Sequence, residues 1–156
     1  MGTMSKYIKH AARRLSGDQA GQSLVEFALM SIILTVILMG ILDLGRAYFA
    51  FVALQDVVAE GAAFAAANPT CVSPVDGPAC SNPNNITWRA KNESPSGMVI
   101  SDSIKVDVMY DPAGPVSGRP ITVSATYQHP LWTFVIAGIV GDDILPLQAS
   151  SAASIP

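Results

Sequence analysis

The sequence predicts an α+β fold: a long N-terminal helix, membrane-spanning in its first half, packed through its second half on a small antiparallel sheet. Three observations predict it. Residues 22–67 contain no proline, and within them residues 27–42 run for 16 positions without a charge. Residues 47–64 then place apolar side chains at helical spacing. Residues 104–110 and 121–127 alternate apolar and polar side chains, the period of a half-buried strand.

Composition agrees with a membrane-anchored chain. Of its 156 residues, 50% are hydrophobic and 13% are charged, a balance that points to membrane residence or a buried helix. The net charge of −3 argues against a nucleic-acid partner. Before Gly21 stand four bases (Lys6, Lys9, Arg13, Arg14) and one acid, Asp18. From Gln22 onward acids outnumber bases, eleven to five. Positive charge beside an apolar run stays cytoplasmic, so the C-terminal part is expected outside the cytoplasm. Three regions follow: a basic leader at 1–21, a long helix at 22–67 and an extracytoplasmic α+β domain at 68–156.

Within the helix, residues 24–42 are apolar nearly all round apart from Glu26. Nineteen helical residues rise about 28 Å, close to the hydrocarbon thickness of a bilayer. A carboxylate at the mouth of such a segment is costly, which marks Glu26 as a residue with a partner or a purpose. Asp43 and Arg46 follow, three apart and able to pair on one helix face. Ala47, Ala50, Leu54, Val57, Gly61 and Phe64 then form an apolar stripe, with Asp56 and Glu60 on a more polar face. This half is expected to dock on the folded domain. Asn68-Pro69 ends the helix, because the residue before proline is pushed out of the helical region.

Residues 69–83 read as a loop holding both cysteines, Cys71 and Cys80. In an extracytoplasmic compartment they are expected to form one disulfide. The alternative is a pair of free thiols. A zinc site lacks further close ligands, since the histidines are His10 and His129 alone. Residues 84–93 suggest a short helix with Asn84 or Asn85 as N-cap and Trp88 as apolar anchor, broken at Pro95-Ser-Gly97. Asn85-Ile-Thr87 and Asn92-Glu-Ser94 match the glycosylation sequon, a common chance match.

In the first strand Ile104, Val106, Val108 and Tyr110 point one way; in the second, Ile121, Val123, Ala125 and Tyr127 do. Leu145, Leu147, Ala149, Ser151 and Ala153 suggest a third. The apolar stretch Leu131–Val140 is too short to span a bilayer. It reads as a core-covering loop or short helix, with an interfacial aromatic contact as the alternative. Asp102 and Asp111 look like turn formers, and Asp142-Asp143 like a solvated loop. No glycine-rich phosphate loop or nucleophile elbow is present. No enzymatic activity, catalytic residue, metal or cofactor is therefore expected.

The N-terminus has the basic and apolar regions of a secretory signal, but its apolar run exceeds the usual length of about 7–15 residues. The obvious small-residue cleavage site, Ala63-Phe-Ala65, lies far beyond it. Gly21, with Glu26 five positions later and an apolar helix behind a basic leader, resembles instead the type IV prepilin processing signal. Three segments extend the resemblance: Gly21-Gln-Ser-Leu-Val-Glu-Phe-Ala28, Gly40-Ile-Leu-Asp-Leu-Gly-Arg-Ala47 and Ala59-Glu-Gly-Ala-Ala-Phe-Ala-Ala66. Together they are similar to the N-terminal signature of TadE-like proteins, pilin-like components of the tight-adherence (Tad/Flp) pilus machinery. Where that family often has a proline shortly after the Glu-Phe pair, this chain has Met30-Ser31, which leaves the helix straighter.

The resemblance implies a pilin-like fold and a bacterial inner-membrane protein with one span, its N-terminus cytoplasmic. It implies cleavage by a membrane prepilin peptidase after Gly21, leaving Gln22 as the new N-terminus, and an assembly role for Glu26 opposite an α-ammonium. Its implied partners are that peptidase, other pilins, Tad inner-membrane assembly proteins and membrane lipid. Function would be that of a minor pilin or pseudopilin in pilus assembly and surface adherence. The alternative is an uncleaved, single-span envelope protein whose outer domain binds a partner.

Overall fold

The computed structural model describes residues 19–92 and 103–156. The four leader bases, the break at 95–97, Asp102, and Glu93 and Ser94 of the second sequon lie outside the described residues. In chain order the elements are α1 (Gln19–Ala67), two 3-10 turns (Pro74–Asp76 and Pro78–Cys80), α2 (Ile86–Asn92), β1 (Ile104–Tyr110), β2 (Pro120–Pro130), α3 (Phe134–Val140) and β3 (Ile144–Ser154). The chain divides into two compact units, Met1–Ile41 and Leu42–Pro156.

In the first unit the described residues are helical, the start of α1. Their large apolar side chains are exposed, Phe27 at 72% and Met30 at 68%. By length and composition α1 can cross a membrane. No side chain of an ordinary soluble core would be left bare along so many consecutive turns.

The second unit is the α+β fold that the two periodicities predict. Its sheet has the order β1-β2-β3, both pairs antiparallel. Ile104 pairs with Tyr127 and Tyr110 with Ile121; Ile121 also pairs with Ala153 and His129 with Leu145. One face is covered by the α1 residues from 47 onward. Leu54 and Val57 are fully buried there, with Ile104, Ala125 and Tyr127 in the same cluster. A second cluster joins Ala62, Ala65, Ile86, Ile121, Val123 and Ile155. The buried stripe is wider than the predicted one, because Ala53, Val58, Ala62 and Ala65 also turn inward. Alanines there bring helix and sheet backbones close. At Gly61 a Cβ would stand 3.0 Å from Val123 Cγ1 and 3.1 Å from the Ala90 Cβ.

Two expectations change, the anchor of α2 and the burial of the 131–140 stretch. In α2 the anchors are Ile86 and Ala90, both fully buried, whereas Trp88 is half-buried. Asn85 is the N-cap, its Oδ1 accepting the Trp88 N–H at 2.8 Å. Because Asn85 is fully buried and its Nδ2 donates to Cys80 O and Asn82 Oδ1, it is not an exposed sequon. Finally, the 131–140 stretch contains the short helix α3 but does not cover the core: Trp132 is 75% and Phe134 82% exposed. Its left-handed C-terminal residue is Gly141, whose N–H donates to Ala137 O.

Candidate functional site

Gly21 and Gln22 lie in the first turns of α1, both exposed. Glu26 is exposed one turn further, and the Gln22 Nε2 donates to its Oε1 at 3.1 Å. Positions 22 and 26 therefore share a helix face, as the four-residue spacing requires.

Cys71 and Cys80 are joined by a disulfide. The loop it closes is stitched to the start of α2. Ile86 N–H donates to Cys71 O at 2.9 Å, and Thr87 N–H and Oγ1 donate to Val72 O at 3.0 and 2.8 Å. Together with the Asn85 bonds to Cys80 and Asn82, this makes the loop a firm edge of the second unit, and Cys80 is only 4% exposed.

A constellation that the sequence did not signal lies at the start of the second unit. Asp43 is 2% exposed. Its Oδ2 accepts the Thr133 N–H at 2.8 Å, the Thr133 hydroxyl at 2.6 Å and the Trp132 N–H at 3.2 Å. Arg46 Nη1 stands 3.6 Å from Asp43 Oδ1, and its guanidinium lies 3.5 Å over the Trp132 ring centroid. The Asp43–Arg46 pair expected from the spacing is thus present, but the stronger ties of Asp43 go to a loop 89 and 90 residues away. Donor hydrogen bonds to a carboxylate favour its charged form and offset the cost of burying it.

His129 continues the inward face of β2 beyond Tyr127 and is 4% exposed. Among the described residues neither ring nitrogen has a hydrogen-bond partner. Its ring meets Tyr127 edge-to-face at 5.9 Å. Burial, and then the charge of Arg46, hold its pKa below the usual 6.5, with Asp43 acting in the opposite sense. Beside it opens a cavity of about 300 Å³ lined by Arg46, Ala50, Tyr127, His129 and Trp132. Among the described residues no three His, Cys, Asp or Glu side chains gather as a metal site.

Helix α1 is thus long and apolar enough to cross a membrane, and its later residues belong to a helix-on-sheet unit. Comparison finds one similarity: residues 21–63 match the family model of the TadE-like protein. Over that segment the chain is similar to TadE-like proteins, the family it resembles in sequence. The match ends within α1, before the disulfide loop and the sheet. No curated protein and no solved structure matches the chain.

Proposed function

We propose that the chain is a minor pilin or pseudopilin of a Tad-type pilus, with a structural and non-enzymatic role in pilus assembly and adherence. The observation that carries this is the sequence Gly21-Gln22 with Glu26 at the head of a helix whose apolar side chains are exposed through residue 42. A soluble domain has no use for such a helix; a bilayer, or a bundle of identical helices, covers it. The N-terminus lies in the cytoplasm and the 42–156 unit outside, following the basic leader.

Prepilin peptidase hydrolyses the Gly21–Gln22 amide. Water adds across the bond, Gly21 leaves with a carboxylate and Gln22 gains an α-ammonium. Gly21 offers no side chain to obstruct a close backbone approach. The new ammonium stands four residues from Glu26 on its own chain. It can neutralise that carboxylate, or the Glu26 of a neighbouring subunit, inside an apolar bundle. Other pilins and the Tad inner-membrane assembly proteins are then the partners.

The experiment is to shear pili from cells and ask where the chain fractionates. A pilin is recovered with the sheared fibres at low copy, and Glu26→Ala removes it from them. Retention of all of the protein in the inner membrane, with pili still absent when it is deleted, would replace the pilin by an assembly factor.

A further inference from the structure

The stretch Leu131–Gly141 carries no charge, and four of its apolar side chains are exposed: Trp132 75%, Phe134 82%, Ile139 77% and Val140 47%, while Leu131 and Ile136 are half-buried. An apolar group of this kind on a small domain is a contact surface. What covers it follows from where it is tied. Trp132 and Thr133 are bonded through their backbone N–H groups to Asp43, and Asp43 is the residue after Leu42, the last of the uncharged run. One helical residue rises about 1.5 Å, so the tie is made at the level where the apolar run ends. Tryptophan is the residue enriched at that level of a bilayer. Arg46 lies against one face of the Trp132 ring, and an arginine that buries its stem while its head reaches polar groups belongs to the same zone.

We propose that Trp132, Phe134 and the exposed side of α3 insert into the headgroup–acyl boundary of the outer leaflet, making this segment a second membrane contact besides α1. Resting as it does on the anchoring of α1, the contact has lipid as its occupant. Asp43 clamps the loop so that the contact is fixed rather than swinging on a flexible tether. Asp142 and Asp143, exposed just after α3, limit the inserted segment to its apolar residues.

The test uses the full chain in phosphatidylcholine vesicles carrying acyl chains brominated at either a shallow or a deep position. Trp88→Phe leaves Trp132 as the sole tryptophan. Its emission should shift to shorter wavelength and be quenched more by shallow than by deep bromines. A companion chain with Trp88→Phe, Trp132→Phe and Ile33→Trp reports α1, and should be quenched most by deep bromines. Deep quenching at position 33 with none at 132 overturns the contact and leaves the anchor standing. No quenching at either position overturns the anchor and the contact with it. A blue-shifted Trp132 that is insensitive to bromine but cross-links to a second copy assigns the surface to self-association and also overturns the proposal. Should Trp88→Phe fail to fold, the wild-type chain is compared with Trp132→Phe, which must lose the shallow-quenched component.

Discussion

Asp43 and Thr133, 90 residues apart, are bound twice: the Thr133 N–H and hydroxyl both donate to Asp43 Oδ2, at 2.8 and 2.6 Å. With the Trp132 N–H, they give the carboxylate three donors in a nearly solvent-free position. Hydrogen bonds to a charged group contribute about 1.5–3 kcal/mol each, and donors left unsatisfied by burial cost more than a lost contact alone. Asp43→Ala should therefore destabilise the 42–156 unit by about 3–5 kcal/mol, the range for stranding the partners of a buried charge. Thr133→Val, which removes one donor, should cost about half of that or less. Denaturant unfolding in detergent, followed by near-ultraviolet circular dichroism, measures both; equal and negligible losses would show that the tie is dispensable.

His129 predicts a pH dependence. Its folded-state pKa lies below 6.5, through burial first and the Arg46 charge second, partly opposed by Asp43. In the unfolded chain the imidazole protonates near 6.5, whereas the folded chain resists protonation until lower pH. Its contribution is fully present above that value and is lost as pH falls toward the folded pKa. The unfolding midpoint should drop as pH is lowered from about 7 to about 5, and His129→Leu should flatten this part of the profile. An unchanged slope in His129→Leu would assign the effect to other groups.

Much of this fold is legible in sequence because periodicity encodes it. The stripe from Ala47 to Phe64 and the alternation at 121–127 correspond to buried faces, those at 104–110 and 145–153 to faces that are buried or half-buried, and Asn68-Pro69 marks the end of α1. What periodicity does not encode is pairing across the chain. The Asp43–Arg46 spacing suggested a local pair, while the main partners of Asp43 are backbone N–H groups, which leave no trace in residue identity. His129 extends the inward alternation of β2 beyond 121–127, where the alternation expected from the sequence stops. The aromatic content of residues 131–140 suggested burial, and Trp88 was favoured over Ile86 for the same reason. Size is a poor guide where a membrane-level surface and a thin α2 contact are the alternatives to a core.

Gly61 sets the distance between α1 and the sheet. Alanine is the better helix former by about 1 kcal/mol, but overpacking a close contact costs about 1–3 kcal/mol. Gly61→Leu should lower stability by at least 2–3 kcal/mol on that scale, since Val123 and Ala90 already stand against the missing Cβ. Gly61→Ala should be much milder. A stable Gly61→Leu chain in thermal unfolding would mean that α1 lifts from the sheet without cost.

The Cys71–Cys80 crosslink closes a short loop, for which the loop-entropy account gives about 2–3 kcal/mol. Replacing both cysteines by serine should lower the stability of the 42–156 unit by about that amount. Hydrogen exchange should rise first at Ile86 and Thr87, whose N–H groups bond to the loop. Uniform exchange across the sheet instead would mean that the loop is not a separate stitching element.

The central claim is that Gly21 and Glu26 make this a processed, pilin-like subunit. The most direct measurement is the intact mass and N-terminal sequence of the protein taken from its native membrane, with and without the matching prepilin peptidase. A mature chain beginning at Gln22, formed only when the peptidase is present and blocked by a bulky substitution at Gly21, is the predicted result. A chain that keeps its leader in the presence of active peptidase would contradict the claim and make this an uncleaved, membrane-anchored envelope protein.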